Sequence, residues 1–180
     1  MPKPVLIVPY DPVWKTHFDA LRTVYQSQLG PLLTGIEHIG STAVVGLPAK
    51  PILDIDLVIP TGEVLPLVVQ ALTKLGYTYE GDKGIPLREA FRQQTAEVPL
   101  DGSGRSWPAH HLYVCPAHSP PLRQHILFRD YLRRHPDTTA AYAALKQELA
   151  VRYRTDRVAY TEAKTAFIQR ILHKAEPSDE

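Results

Sequence analysis

Residues 40–60 read GSTAVVGLPAKPILDIDLVIP, and the fold turns on the segment ILDIDLVI, 52–59. Its β-branched content and length predict a strand. Side chains at i and i+2 leave a strand on the same face, so Asp54 and Asp56 stand side by side while Ile55, Leu57 and Ile59 point the other way, into a core. Two carboxylates held that close repel, and one is driven towards protonation. A divalent cation removes the difficulty: Mg²⁺ takes one or two carboxylates together with waters and substrate phosphates. The alternative is an aspartate exposed at the strand end or capping a neighbouring loop.

Upstream, Gly40 and Ser41 directly follow IEHI and open a connection of small residues. A glycine lets backbone N–H groups approach an anion closely, and a serine hydroxyl adds a donor, so the pair can cradle a phosphate beside a metal. Gly-Ser alone says little, whereas strand, Gly-Ser, turn and a strand carrying D-x-D form a far more specific order.

Around this centre, VLIV (5–8) reads as a strand. A helix follows over YDPVWKTHFDALRTVYQSQLGP, with Asp11 as N-cap, Pro12 at the first helical position and Gly30-Pro31 as the stop. Trp14, Phe18, Leu21, Tyr25 and Leu29 fall at helical spacing and predict its buried face. GIEHIG is a short strand. TGEVLPLVVQALTKLG reads as a helix capped at Thr61 and ended by Gly76, with Pro66 tolerated only near its first turn. YTYEG, EAFRQQTAEV and HHLYVC are further strand candidates, and DGSGRSWP is a turn or loop. From Pro120 the texture changes to three helical segments, the last striped by Ala163, Phe167, Ile168, Ile171 and Leu172. The tail EPSDE is expected to fray. Strands followed by helices predict an α+β fold. With 180 residues, 44% of them hydrophobic, the expectation is one domain over 1–180, a mixed β/α core over 1–118 and C-terminal helices over 119–175.

A formal charge of +1 gives no global case for nucleic acid or an anionic membrane, so any basic surface must be local. The single Cys115 excludes an internal disulfide framework and reads as a small core residue. The apolar run Val5–Val8 is too short for a signal peptide or a membrane span. A soluble, cytoplasmic protein is therefore expected.

The stretch IEHIGSTAVVGLPAKPILDIDLVI resembles the signature region of the GrpB-like (UPF0157) family, within the nucleotidyltransferase fold superfamily. The resemblance continues through GDKGIPLREAF, HHLYV, LFRDYLRRHP, AYAALKQELA and YTEAKTAFIQRIL, and so covers most of the chain. It implies a nucleotidyltransferase-like mixed β-sheet with flanking helices, Asp54 and Asp56 as ligands for Mg²⁺ or Mn²⁺, and Gly40 and Ser41 at the phosphates of a nucleoside triphosphate. Lys50 and Arg88 match basic positions of the motif segments and are expected to reach those phosphates, although each alone also fits a solvated surface charge.

Active members of the superfamily commonly add a third carboxylate from a later strand, completing a two-metal arrangement. The corresponding stretch here, AHHLYV, offers His110, His111 and Tyr113 but no acid; Glu97 and Asp101 lie upstream. His111 is the candidate for that position, as ligand, base or phosphate contact. Three readings follow. One is Mg-dependent transfer of a nucleotidyl group to an unidentified acceptor. The second is a degenerate protein that binds a nucleotide or other phospholigand without chemistry. The third is an RNA-associated or protein-interaction module using RDYLRRH on the helical half. Lys146 and Lys164 are further cations that could face the cleft, while Arg129, set among apolar residues, fits a structural pair with an acid. Zinc at His110, His111, Cys115, His118 and His125 matches no known ligand spacing.

Overall fold

The computed structural model describes residues 4–176. Five strands form one mixed sheet in the order β1-β2-β5-β4-β3, with β1 Gly35–Ile39, β2 Leu53–Ile59, β3 Tyr77–Gly81, β4 Glu89–Gln93 and β5 His110–Pro116. β2 pairs antiparallel with β1 and parallel with β5; β4 pairs antiparallel with β5 and with β3. The fold is α+β, with helices on both faces of the sheet.

Two helices, α1 (Val13–Leu29) and α2 (Leu65–Lys74), cover one face. The α1 stripe of Trp14, Phe18, Leu21, Tyr25 and Leu29 is buried against Leu53, Ile55, Leu57 and Ile59 of β2, as their shared period requires. Pro66 sits in the first turn of α2, where its missing N–H has no partner to lose.

The other face carries the C-terminal helices α3 (Pro120–Arg134), α4 (Pro136–Arg152), α5 (Arg157–Ala163) and α6 (Thr165–Ala175). Leu122 of α3 packs on Val58 and Cys115, so Cys115 is the core residue expected, and burial pushes its thiol up to about 12. Leu132 and Tyr142 pack on Val44 and Leu47, and Leu149 and Tyr160 pack on Val5.

Five expectations change in detail. VLIV makes a single bridge, Val8 to Ala49, rather than a strand. Prolines at 4 and 9 remove N–H donors at both ends, and Val5 is spent on the helical core. The helix α1 starts at Val13, one residue late, with Asp11 Oδ1 accepting from the Val13 N–H at 2.9 Å. Helix α2 starts at Leu65, preceded by a 3₁₀ turn over Gly62–Val64, and Thr61 makes no side-chain cap. The strand predicted over 89–98 ends at Gln93, whose amide turns the chain by donating to Val98 O (3.0 Å) and accepting from His110 N–H (3.3 Å). The last helical segment is broken at Lys164 into α5 and α6. Most of the tail expected to fray, 177–180, lies outside the described residues.

Candidate functional site

On β2, Asp54 and Asp56 leave the same face, towards α3–α6. By register Asp54 stands opposite His111 of β5 and Asp56 opposite Tyr113. The aspartates differ sharply in environment. The Asp54 side chain is 30% exposed, and its Oδ1 lies 2.8 Å from His111 Nδ1. Asp56 is fully buried, its Oδ2 2.7 Å from Nδ1 of His125 on α3, and its Oδ1 has no partner among the described residues. Burial raises the Asp56 carboxyl above its ordinary range, against the pull of His125.

Gly40 explains how Asp54 meets the loop before it. The glycine has φ +72°, and a Cβ there would lie 2.4 Å from Asp54 Oδ2. Only a residue without a side chain lets the Gly40–Ser41 turn press against this carboxylate.

Ser41, Lys50, Asp54 and His111 line one cavity of about 250 Å³, whose far wall is Lys146, Tyr160 and Lys164 from the helical half. Of these ammonium groups Lys146 is the most enclosed, 2% exposed, and it donates to the Pro48 carbonyl. Burial, reinforced by Lys164 and Lys50, lowers it to about 7. Burial and Lys50 lower Lys164 to about 8, opposed by Asp54. Lys50 is likewise lowered by burial and then by Arg157. Three cations crowded together, each weakened by desolvation, leave a surplus of positive potential that an anion would relieve.

Arg88 faces elsewhere. It lies over the Tyr113 ring, 4.4 Å from guanidinium carbon to centroid, and lines a second cavity across β5 and β4. The two cavities meet at Ile52, His111 and Tyr113. Thus Gly40, Ser41, Lys50, Asp54 and His111 come together, Asp56 lies behind them in the protein interior, and Arg88 stands beyond His111.

Among the described residues no acid occupies the place of a third carboxylate. Glu97 is exposed in the connection between β4 and β5, and Asp101 there accepts from Ser103 and Arg105. Among the described residues no group of three or more His, Cys, Asp or Glu side chains is arranged to hold a metal. Asp54 Oδ2 and Asp56 Oδ1 are the carboxylate oxygens left without a partner among the described residues, and they are the atoms that would hold a Mg²⁺ whose other ligands came from phosphate and water.

His125 is the residue sequence reading missed as an Asp56 partner. Its signal is positional: it occupies the inward stripe of α3 between Leu122 and Arg129, where an apolar side chain would be expected. His110 turns to the opposite face, its Nε2 2.6 Å from the Tyr77 hydroxyl, which is in turn 2.7 Å from that of Tyr25; burial lowers His110 to about 4. Arg129 is the structural pair expected, bonded to Glu37 (2.6 Å), Asp130 (2.7 Å) and the His38 carbonyl (3.0 Å). Arg133 donates to the Ala43 carbonyl and Arg134 to that of Asp130, so the cations of RDYLRRH are largely spent within the protein.

The model of the family described as GrpB protein matches residues 4–174. This chain belongs to the GrpB family. It is 41% identical over 169 residues to a UPF0157 protein of Pseudomonas aeruginosa, covering 94% of this chain and 66% of that one. To the glutamate-rich protein GrpB of Alkalihalophilus pseudofirmus it is 30% identical over 171 residues, covering 94% and 95%. Among solved structures, the conserved protein GrpB from Enterococcus faecalis superposes with a TM-score of 0.80 at 29% identity, covering 94% of this chain and 96% of that one. A GrpB chain thus has this α+β fold. No helix among the described residues is long and apolar enough to cross a membrane.

Proposed function

We propose that this GrpB chain holds the phosphate chain of a nucleoside triphosphate, with one Mg²⁺, in the lysine-lined cavity and transfers the nucleotidyl group to an acceptor. The observation that carries the reading is the convergence of Ser41, Lys50, Lys146, Lys164 and the Asp54–His111 pair on one cavity. Lys50 and Lys164 hold the phosphate chain as point charges, Ser41 donates a hydroxyl, and Lys146 fixes the loop through the Pro48 carbonyl while adding positive potential. Mg²⁺, held by the free oxygens of Asp54 and Asp56, would neutralise charge on the phosphates.

His111 takes the part of the absent third acid. With Nδ1–H donated to Asp54, its Nε2 keeps a lone pair beside the cavity. The acceptor hydroxyl gives its proton to Nε2 as its oxygen bonds to the α-phosphorus. The bond from that phosphorus to the bridging oxygen breaks, and its electron pair leaves with pyrophosphate, which the lysines receive.

The second reading, binding without transfer, is favoured by the His and Tyr that stand where an acid would complete a two-metal centre. Incubation with each labelled nucleoside triphosphate, Mg²⁺ and cell extract as acceptor source separates the two. Pyrophosphate release lost in His111→Ala supports transfer, whereas a nucleotide-induced thermal shift without release supports the second reading. A shift that survives Asp54→Asn with Asp56→Asn refutes the metal placement, and no shift in the wild type refutes both readings.

A further inference from the structure

The cavity across β5 and β4, about 600 Å³, is used by neither the lysines nor the aspartates. Its size suits a metabolite-sized ligand. Four cations line it, Lys83, Arg88, Arg92 and Arg157, against one carboxylate, Glu80. That carboxylate is shared by Lys83 (3.0 Å) and Arg92 (3.1 Å), and neither Arg88 nor Arg157 has an ion-pair partner among the described residues. Arg88 Nε is buried with no hydrogen-bond partner among the described residues. A guanidinium N–H left unpaired in the protein costs free energy unless a ligand accepts from it.

The backbone that presents Arg88 is strained. Between β3 and β4, Lys83 (φ 51°) and Leu87 (φ 62°) hold left-handed conformations that side chains other than glycine adopt reluctantly. Such strain persists where surrounding structure over-determines it, and it gathers at ligand-binding turns. Here it fixes the residue immediately before Arg88, while the Tyr113 ring fixes the guanidinium from below.

We infer that this second cavity is the acceptor subsite, and that the acceptor carries a phosphate group gripped by Arg88 and Arg157. The inference rests on the transfer reading for its role, since His111 forms the wall common to both cavities and a hydroxyl on a molecule anchored at Arg88 is thereby brought to the base. Arginine suits the task because its planar fork matches two phosphate oxygens, whereas the triphosphate side is built from lysine point charges. A positive wall on both sides of His111 would also steer two polyanions to one nitrogen, which is otherwise opposed by their mutual repulsion.

Inorganic phosphate is the probe. The full chain is first saturated with Mg²⁺ and a non-hydrolysable triphosphate analogue, then titrated with phosphate while amide and arginine side-chain resonances are followed. Shifts centred on Arg88, Arg92 and Arg157 are expected, with Arg88→Gln weakening phosphate at least tenfold and leaving analogue affinity within twofold. Phosphate shifts confined to Lys50 and Lys164, or unchanged in Arg88→Gln, overturn the subsite. If the analogue never binds but phosphate still shifts Arg88, the triphosphate reading falls while the anion site stands, so the two failures are told apart. Arg88→Lys serves as the second variant should Arg88→Gln unfold, and it too is expected to weaken phosphate, because the bidentate fork is lost with the charge retained.

Discussion

Replacing Gly40 with alanine tests the contact on which the site is built. At φ +72° and ψ −172° the residue occupies backbone space that side chains avoid, at a cost of about 1–3 kcal/mol. The new Cβ would also lie 2.4 Å from Asp54 Oδ2 and 3.1 Å from both Asp54 Cβ and Cγ. Asp54 cannot swing aside freely, because its other oxygen holds His111 at 2.8 Å; losing that bond adds about 1 kcal/mol, kept small by the partial exposure of both side chains. Gly40→Ala should therefore destabilise by about 2–4 kcal/mol in urea unfolding. Asp54→Ala removes the atoms at 2.4 Å and one of the two at 3.1 Å, so the double variant should recover about 1 kcal/mol relative to additivity. A Gly40→Ala loss below about 0.5 kcal/mol, or additivity within that margin, refutes the packing argument.

Three further outcomes are expected. Lys146 folds with its ammonium lowered to about 7, so between pH 7 and 9.5 the unfolded chain holds more protons at this site than the folded one. Its contribution to stability therefore rises with pH over that window and is lost as pH falls towards 7; Lys146→Met should flatten the rise in denaturation profiles. Tyr77→Phe removes the hydroxyl between Tyr25 and His110, leaving that pair only its 3.4 Å contact, and should cost about 1–2 kcal/mol in urea without changing a nucleotide-induced thermal shift, since it lies on the opposite face of the sheet. Arg129→Met strands Glu37 and the His38 carbonyl and should cost about 2–3 kcal/mol, less than a fully buried pair because Glu37 is a third exposed; Arg129→Lys should recover only part, and a loss under about 0.5 kcal/mol would deny the pair a structural role.

Local pattern revealed much of the fold. The alternation in ILDIDLVI placed Asp54 and Asp56 on one face, the period of α1 picked out its buried stripe, and the apolar setting of Arg129 pointed to an internal pair. What stayed hidden depends on partners distant in the chain. His125 meets Asp56 across 69 residues, and Lys146 looks like one more cation on a mixed helix until α4 packs over Pro48. Arg88 matched a phosphate position by motif, but only the antiparallel pairing of β4 with β5 shows that it stands beyond His111 from Ser41. VLIV misled because composition reports strand preference and not the donors its flanking prolines remove.

The break at Lys164 has a wider consequence. Tyr160 and Lys164, four residues apart on α5 and its C-cap, share the face that lines the cavity, and the break after them sends α6 off in a new direction, where Phe167 stacks on Tyr142 at 5.1 Å between ring centroids. The lysine cavity is a seam sewn between the two ends of the chain, Ser41 and Lys50 on one lip, Lys146 and Lys164 on the other. Neither lip encloses the cavity alone, so a ligand that filled the seam would also fasten the last helices to the sheet.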